Sequence, residues 1–388
     1  MELSAPQPTM SRESHLMEIT AAYLSGANQP FEVTMLHLDP PKASEVLVRI
    51  AATGICASDA HTRSGRIPSP LPCVLGHEGA GVVEAVGENV THVAVGDHVA
   101  LSWMPNCGQC RHCVSGRPVL CTAAAPYLLA GTLLDGTTRL HHDSEDVFHY
   151  SFLSTFANYT VVPGASAIKI DPGVSLSVAA LVGCAIMTGY GAAVNRAQVR
   201  PGSSVLVYGA GGVGLSAVMG ARLSGAGKII VIDPVESKRI EALDFGATHI
   251  FAPGDDIVDR VKELTDGFGV DYAIDAVGVP AVVGQAFDAT VAGGTLVCVG
   301  VPAPEARPSF PGPNLVRDEK IVTGSLYGSS RPSTDIPKIL DLYRAGLLPL
   351  DKMISATYPL NDINKAFDDM AAGRLTRGVL VLDEALAS

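Results

Sequence analysis

The chain has 388 residues, of which 47% are hydrophobic and 17% charged, a composition that indicates a large-cored globular protein and excludes extensive disorder. The 27 basic and 39 acidic residues give a net charge of −12 without a basic run, which argues against nucleic acid or an acidic membrane surface as a partner. No stretch of 18 uninterrupted apolar residues occurs, so we expect no membrane span. The segment 1–17 lacks the basic start and apolar core of a secretory signal, and we expect a flexible tail, a cytoplasmic protein and reduced thiols.

Strand patterns dominate the first half of the chain. Alternation of apolar and polar residues predicts strands at 32–38, 45–56, 82–87, 95–101 (a turn and a strand) and 158–163. We expect loops at 54–61 and at 122–150, where no period is clear. Glycine, proline and strand signals at this density predict a small β-rich barrel domain.

Strands alternate with helices in the second half. The predicted strands are 205–209, 229–233, 270–278, 295–300 and 320–325, after a helix at 177–195. This βα repetition predicts an α/β fold with a parallel, doubly wound sheet. Helices at 336–344 and 363–372 and a strand at 378–382 are expected to follow. The length favours two domains, with three as the alternative.

The stretch 203–233 carries a nucleotide-binding pattern. Gly209, Gly211 and Gly214 follow a predicted strand with G-x-G-x-x-G spacing and open a helix. Glycines there permit a tight turn, close approach of a pyrophosphate and close helix–strand packing. Asp233 ends the next strand, where a carboxylate can accept from both ribose hydroxyls and would repel the extra phosphate of NADP. The order of these parts predicts an NAD site, and glycines that serve only packing are the alternative.

Four cysteines form a second pattern, C-x2-C-x2-C-x7-C, at Cys107, Cys110, Cys113 and Cys121. Four thiolates this close can hold one tetrahedral ion without a ligand from elsewhere, and a closed site of this kind folds a loop and does no chemistry. We predict structural zinc. An iron–sulfur cluster uses the same ligands, and free buried thiols are disfavoured because the loop is polar.

Taken together, the motifs resemble those of a zinc-dependent alcohol dehydrogenase of the medium-chain dehydrogenase/reductase superfamily, over residues 18–383. They are GIC-x-S-D at 54–59, GHEGAG at 76–81, the four-cysteine lobe, GC-x3-TGYGA at 183–192 and GAGGVG at 209–214. The resemblance implies a GroES-like β-rich catalytic domain joined to a Rossmann domain. The implied boundaries are 18–185 and 327–388 for the catalytic domain, 103–122 for its structural zinc lobe, and 186–326 for the NAD-binding domain.

The resemblance also assigns a catalytic zinc to Cys56, His77 and Cys184, so that two zinc ions are expected per chain. Each of these residues alone would be taken for an ordinary core or loop residue. A fourth, open position would take substrate or water, and zinc there makes a bound alcohol more acidic. Ser58 and His61 match the residues of the proton relay of the family. The histidine suits this role because it can exchange protons with water near neutral pH.

Other roles implied by the resemblance are more peripheral. Asp59 matches the carboxylate that orients the ligand His77, and Glu78 matches an acidic residue near the metal; ordinary loop carboxylates are the alternative. Further cofactor contacts are expected at Gly212, Val213, Lys238, Thr188, Val299 and Arg377. The substrate pocket is expected to include Trp103, Ile67, Phe152 and Leu153, although Trp103 can also be read as part of the barrel wall.

The implied reaction is reversible hydride transfer between an alcohol and NAD. The flat ring of Trp103 favours primary aliphatic or benzylic alcohols. S-(hydroxymethyl)glutathione dehydrogenases share these motifs, but this chain has Ala125 where they use an arginine, and 64–67 lacks their acidic pair. The fold is also compatible with an enzyme that reduces C=C or imine bonds and with a non-enzymatic NAD-binding scaffold. The expected partners are a small alcohol or aldehyde and a second copy of the chain, paired through a sheet edge near 295–301.

One departure from the family pattern generates a prediction. Ala57 stands where many relatives carry an arginine or histidine that contacts the pyrophosphate. Ala57→Arg should therefore lower the dissociation constant for NADH, because it restores a cationic contact. Fluorescence titration measures this constant, and an unchanged value would contradict the placement of residue 57.

Overall fold

The computed structural model describes residues 16–303 and 305–387. It contains a closed β-barrel, a mixed β-sheet and a parallel sheet that carries helices. The predicted fold class, a β-rich domain joined to a doubly wound parallel sheet, is confirmed. Most of the predicted tail lies outside the described residues, and its last residue, Met17, already belongs to the first strand.

The N-terminal half of the described chain is built mainly from short strands. They are β1 (Met17–Leu24), β2 (Glu32–Leu38), β3 (Glu45–Gly54), β4 (Cys73–Val74), β5 (Gly79–Val86), β6 (His98–Leu101), β7 (Leu140–His142), β8 (Glu145–His149), β9 (Tyr159–Pro163) and β10 (Ala167–Lys169). Helices α1 (Ala57–Arg63) and α2 (Arg111–Val114) lie between them. Strands β1, β2, β7, β8 and β4 close the barrel, and β10, β6, β5 and β3 form one sheet, with β9 also paired to β3.

Two segments predicted as loops contain regular structure, so those predictions were wrong. The segment 54–61 includes the start of α1, which is stabilised at its N-terminus because the Asp59 carboxylate accepts the backbone N–H of Cys56 at 3.0 Å. The segment 122–150 includes β7 and β8, which pair with each other and complete the barrel through β2 and β4. The strands β7 and β8 depend on pairing with the distant strands β2 and β4, whereas the contact at the start of α1 lies within its own first turn.

A long apolar helical segment connects the two halves. It consists of α3 (Leu176–Leu181), a π-helical turn (Val182–Ile186), α4 (Met187–Gly191) and a second π-helical turn (Ala192–Ala197). Within the described chain this is the helix long and apolar enough to cross a membrane, but 83% of the apolar window is buried in the protein. It is therefore packed as a core helix, and the implied domain boundary at residue 185 falls inside it.

The parallel sheet follows this helix. Its strands are β11 (Ser204–Tyr208), β12 (Lys228–Ile232), β13 (His249–Phe251), β14 (Val270–Asp275), β15 (Thr290–Cys298) and β16 (Ile321–Gly324). The helices between them are α5 (Gly212–Leu223), α6 (Glu236–Phe245), α7 (Ile257–Leu264), α8 (Pro280–Asp288) and α9 (Gly312–Arg317). The strand order β13-β12-β11-β14-β15-β16 is that of a Rossmann fold. Strand β15 pairs with β14 on one side and with β16 on the other. The prediction of a sheet edge near 295–301 is therefore wrong, and the edge on this side of the sheet is β16.

The C-terminal segment returns to the β-rich half. It contains α10 (Pro332–Arg344), β17 (Ile354–Pro359), α11 (Ile363–Ala371), β18 (Arg377–Val381) and α12 (Glu384–Ala387). Strand β18 pairs antiparallel with β3 and parallel with β17, so it extends the first sheet. Short 3-10 helices occur at Pro118–Leu120, Ala125–Tyr127, Gly164–Ser166, Tyr327–Ser329, Asp351–Met353 and Leu360–Asp362.

One hydrophobic cluster is continuous across the two halves. It includes Ala52 of β3, Leu181 and Ile186 of the connecting helix, and Val207 of β11. Burial of each larger apolar side chain contributes roughly 1.5–3 kcal/mol. The junction between the domains is therefore a packed core, and it is there that the ligand side chains described below meet.

A buried polar cluster holds the barrel strand β8. The Arg139 guanidinium, 1% exposed, contacts the Glu45 carboxylate at 2.5 Å, and the Arg139 backbone N–H donates to His149 Nε2 at 3.2 Å. Burial, together with the charge of Arg139, lowers the pKa of His149 to about 3. His149 is thus held neutral as an acceptor.

This cluster predicts a pH dependence of stability. Between pH 6.5 and 3 the unfolded chain binds a proton at residue 149 and the folded chain does not, so the free energy of unfolding falls as the pH falls. At pH 5 the loss is about 2 kcal/mol relative to neutral pH. Chemical denaturation at pH 7 and pH 5 should show a smaller loss for His149→Gln than for the wild type, and equal losses would contradict this account.

Candidate active site

The first part of the site is built around a buried carboxylate, Asp59 of α1. It is 0% exposed, and it accepts the backbone N–H groups of Cys56 at 3.0 Å and Gly76 at 3.2 Å. The same carboxylate lies 3.0 Å from His77 Nδ1. An imidazole that donates through Nδ1 presents Nε2 as an acceptor, the usual arrangement of a metal-binding histidine. Asp59 therefore has the orienting contact that the sequence predicted for it.

Three separate segments bring ligand atoms together. Cys56 precedes α1, His77 and Glu78 precede β5, and Cys184 lies in the π-helical turn. Their ligand atoms lie within 4.8 Å of one another and all four residues are buried. A hydrogen bond with Cys184 lowers the pKa of the Cys56 thiol well below its usual range, and the neighbouring His77 adds to this. The structure thus unites the predicted catalytic ligands and places Glu78, which was predicted near the metal, among them.

Glu78 is paired with an arginine from the far end of the chain. The guanidinium of Arg377, 7% exposed, donates to Glu78 Oε2. Burial raises the pKa of Glu78 to about 7, against the opposing effect of Arg377. Glu78 Oε1 and Arg377 Nε have no partner within the described residues. The pair therefore keeps unused hydrogen-bonding capacity beside the thiols.

This donor set suits zinc. Two thiol sulfurs and one imidazole nitrogen are the three protein ligands of a known class of catalytic zinc site, whose fourth position stays open. Burial disfavours thiolates, so these cysteines would ionise at low cost only beside a cation such as a bound zinc ion. Cys56, His77 and Cys184 would hold the ion, with Glu78 next to them.

The four-cysteine lobe forms a second ligand set. Cys107, Cys110, Cys113 and Cys121 lie within 4.8 Å of one another, and the cysteines of the described chain are free of disulfides. The closest sulfur pairs are 3.5–4.0 Å apart, and a tetrahedron with metal–sulfur bonds of about 2.3 Å has edges of about 3.8 Å. Hydrogen bonds from the backbone at Cys113 and Thr122 lower the pKa of Cys110 to about 5. The lobe fits a closed zinc site.

The glycine-rich turn after β11 has the predicted form. Gly209 has a φ of 92°, and a Cβ on Gly214 would collide with the Gly209 carbonyl oxygen. No atom lies within 4 Å of the position of a Cβ on Gly211, so the backbone there is open to a ligand. A Cβ on Gly212 would lie 2.5 Å from Arg377 Cδ. Arg377 thus contacts both the turn and Glu78.

Asp233 supports this turn. The Asp233 carboxylate accepts the backbone N–H groups of Ala210 and Val235, both at 2.8 Å. It is buried at the end of β12, next to the turn. A buried carboxylate in this position leaves lone pairs for ribose hydroxyls and opposes a further phosphate. The turn and the carboxylate suit a dinucleotide without a 2′-phosphate.

For four other residues, the structure gives the position but no contact that tests their predicted role in cofactor binding. Val213 lies in the first turn of α5, Thr188 is half-buried in α4, and Lys238 is half-buried in α6. The Val299 N–H donates to the Asp275 carbonyl just beyond β15. Their contacts with a cofactor stay predictions.

The predicted relay residues lie on one helix. Ser58 and His61 are three positions apart on α1 and half-buried, and no hydrogen bond joins them among the described residues. His61 Nε2 lies 3.1 Å from the Arg66 guanidinium. Burial and then the charge of Arg66 lower the pKa of His61. A relay through these residues needs a further hydroxyl between them, such as that of a ribose.

The predicted pocket residues fall into two groups. The half-buried Trp103 ring lies 4.7 Å from the Tyr327 ring, and Tyr327 donates to the carbonyl of Gly183, next to Cys184. Phe152 and Leu153, by contrast, are fully buried in two different hydrophobic clusters of the β-rich half. Ile67 is half-buried in the loop after α1. Trp103 is thus linked through Tyr327 to the residue next to Cys184, and the wall role of all four residues stays a prediction.

Sequence reasoning missed two aromatic residues. The ring of Tyr150 meets the His77 ring edge-on at 5.6 Å, and its hydroxyl accepts from Thr62 at 3.1 Å. Tyr327 lies in the segment after β16. Neither residue stands in a recognisable motif, so only the fold reveals its position.

Comparison with known proteins identifies the family. The model of the alcohol dehydrogenase GroES-like domain matches residues 42–172, and that of the zinc-binding dehydrogenase domain matches residues 212–345. The NDMA-dependent alcohol dehydrogenase of Amycolatopsis methanolica is 41% identical over 368 residues, which cover 94% of this chain and 99% of that protein. The S-(hydroxymethyl)glutathione dehydrogenase of Saccharomyces cerevisiae is 40% identical over 373 residues, 94% of this chain and 96% of that protein.

The structure of benzyl alcohol dehydrogenase from Acinetobacter calcoaceticus aligns with a TM-score of 0.90 at 36% identity, covering 95% of this chain and 100% of that one. The chain therefore belongs to the zinc-binding alcohol dehydrogenases of the medium-chain dehydrogenase/reductase superfamily, and it is an oxidoreductase. The predicted family is confirmed.

The two ligand sets predict the metal content. Elemental analysis of the purified protein should give two zinc ions per chain, and Cys184→Ser or Cys121→Ser should each leave about one, because either change removes a ligand from only one set. Cys73→Ser is the matched control, since Cys73 is buried and belongs to neither set. One zinc in the wild type, or two in Cys184→Ser, would contradict the assignment.

Proposed function

We propose that this enzyme transfers a hydride between a primary aliphatic or benzylic alcohol and NAD, and that it reduces the aldehyde in reverse. The observation that carries the proposal is the position of Arg377. Its side chain contacts Glu78 in the ligand set and packs against Gly212 of the nucleotide-binding turn. Hydride transfer requires the metal-bound substrate and the nicotinamide to be neighbours, and these two sites are one side chain apart.

The residues of the site have separate roles in the proposed reaction. Zinc, when bound, would make the substrate hydroxyl more acidic, and NAD would accept the hydride. Cys56, His77 and Cys184 would hold the ion, while Asp59 fixes the ring of His77 by a 3.0 Å contact. The Ser58 hydroxyl would accept the substrate proton as it gives up its own to a further hydroxyl, such as that of a ribose, and His61 would pass a proton from that hydroxyl to water.

NAD is proposed over NADP because of Asp233. Its buried carboxylate lies beside the turn, where a 2′-phosphate would meet a negative charge. The relative from Amycolatopsis methanolica is named for a dependence on NDMA. Reoxidation of the bound cofactor by such an acceptor is therefore the second candidate for how turnover is completed.

The proposed substrate follows from the aromatic wall. The half-buried ring of Trp103 packs on the buried ring of Tyr327 at 4.7 Å, beside the helix that carries Cys184. Aromatic rings favour flat or slim apolar groups. The structural relative that acts on benzyl alcohol agrees with this proposal.

Three alternatives within the fold are less well supported. An S-(hydroxymethyl)glutathione dehydrogenase is among the relatives, but Ala125 stands in a short 3-10 helix where an anchoring arginine would be expected. Reduction of C=C or imine bonds is disfavoured because the three zinc ligands and the relay hydroxyl of Ser58 are present. A scaffold without activity is the least supported.

We also infer the setting in which the enzyme works. Its acidic charge of −12 and the buried position of its one long apolar helix within the described chain favour a cytoplasmic enzyme with small-molecule partners only. A homodimer paired along the edge of β16 is proposed, because a free strand edge can pair with that of a second copy.

A substrate panel tests the function. With NAD, kcat/KM for benzyl alcohol and hexanol should exceed that for a secondary alcohol, and NADP should support turnover at least about tenfold less well, since the 2′-phosphate faces Asp233. The measurement is the absorbance of the reduced cofactor, repeated with NDMA present. A preference for the secondary alcohol contradicts the proposed substrate class, and turnover only with NDMA contradicts NAD as an exchanging co-substrate.

A further inference from the structure

We propose that Tyr327 is a positioning residue that fixes the zinc ligand Cys184 through the backbone of its neighbour. The Tyr327 side chain is 1% exposed, and its hydroxyl donates to the Gly183 carbonyl at 2.5 Å. Gly183 and Cys184 share the π-helical turn Val182–Ile186. The proposal rests on the proposed function, since it concerns the metal site of that reaction.

The π-helical turn gives an outside donor access to the Gly183 carbonyl. A wider turn disturbs the regular i to i−4 hydrogen bonding of a helix, and such turns occur often at functional sites. Gly183 is also held on its other side, because a Cβ on it would lie 2.5 Å from the Leu101 carbonyl oxygen. The Tyr327 hydroxyl and the Leu101 backbone thus confine the peptide next to Cys184.

The backbone that carries Tyr327 adopts a rare conformation. Tyr327, Gly328 and Ser329 have φ values of 51°, 67° and 49°, three left-handed residues in succession. L-residues avoid this region, and an unusual conformation persists only where the surrounding structure over-determines it. A regular backbone would direct the Tyr327 side chain elsewhere.

Several contacts hold that conformation. A Cβ on Gly328 would collide with the Met187 carbonyl, and one on Gly191 with the Gly328 carbonyl, so the segment packs backbone against backbone on α4. The side-chain amide of Asn195 donates to the Gly328 carbonyl at 3.2 Å. The turn is thereby clamped to the same helical segment that carries Cys184.

The ring of Tyr327 supports Trp103 of the proposed substrate wall. Its centroid lies 4.7 Å from that of Trp103, with an angle of 44° between the planes. One residue therefore connects Trp103, the helix that carries Cys184 and the segment after β16. The hydroxyl and the ring have separable roles, which a change of Tyr to Phe can distinguish.

The test compares Tyr327→Phe with a matched control, Tyr358→Phe. Tyr358 is 7% exposed, and its hydroxyl donates to Asp369 at 2.7 Å, so the control also removes a hydroxyl hydrogen bond from a buried tyrosine. Three quantities are measured on the intact protein: loss of zinc to a chelator, the visible spectrum after cobalt replaces zinc, and kcat/KM for benzyl alcohol. The four-cysteine lobe supplies an internal reference for metal loss.

We expect Tyr327→Phe to release one of its two zinc ions about tenfold faster, to shift the cobalt spectrum and to lower kcat/KM about tenfold, as changes in residues that orient ligands do. The second zinc should be released at the wild-type rate. Tyr358→Phe should match the wild type in all three. Equal metal release and an unchanged cobalt spectrum in a folded Tyr327→Phe would overturn the proposal.

If Tyr327→Phe does not fold, Asn195→Ala is the second variant. It removes the donor to the Gly328 carbonyl and leaves the tyrosine intact, so it should also speed release of the catalytic metal. Wild-type release from folded Asn195→Ala would contradict the proposal. A wild-type enzyme without alcohol turnover would refute the proposed function alone, because the zinc and cobalt measurements still test Tyr327.

Discussion

The main constraint on this structure is the free-energy cost of burying ionisable ligand side chains away from water. Cys56, His77, Glu78 and Cys184 meet in a buried space where their ligand atoms lie within 4.8 Å of one another. Thiolates and carboxylates are disfavoured there unless a cation or a hydrogen bond compensates them. Arg377 compensates Glu78, and Asp59 holds His77, which leaves the two thiols for an ion. Zinc fits this requirement and the number of ligands.

The fold meets this constraint at the junction of its domains. The connecting helix delivers Cys184 from one side, while α1 and the start of β5 deliver the other ligands from the β-rich half. The same hydrophobic cluster packs against both halves. Arg377 extends the arrangement to the glycine-rich turn, so the site for metal and the site for cofactor share a side chain. The proximity that hydride transfer demands is thus built into the domain interface.

The parts of the fold that rest on local patterns could be predicted from the sequence. The βα units of the parallel sheet and the turn at Gly209 are specified by neighbouring residues, and their order emerged as expected. Short strands such as β7 were missed because distant strands stabilise them, whereas the helix α1 was missed although its N-terminal contact between Cys56 and Asp59 is local. Within the site, the contact between Arg377 and Glu78 could not be predicted either, because the two residues are separated by 299 positions in the chain.

Some of the ligand residues could be predicted from local sequence patterns and others could not. The four-cysteine lobe is visible from spacing alone, whereas Cys56, His77 and Cys184 were connected only through resemblance to a family. No sequence signal marks Tyr327, since its position depends on a left-handed backbone segment that no local pattern indicates.

The most direct test of this account is a diffraction experiment on crystals of the native protein, with anomalous data recorded on both sides of the zinc absorption edge. We predict two peaks per chain, one among the four cysteines of the lobe and one bounded by Cys56, His77 and Cys184. A single peak in the lobe, with the sulfurs of Cys56 and Cys184 pointing away from each other, would contradict it.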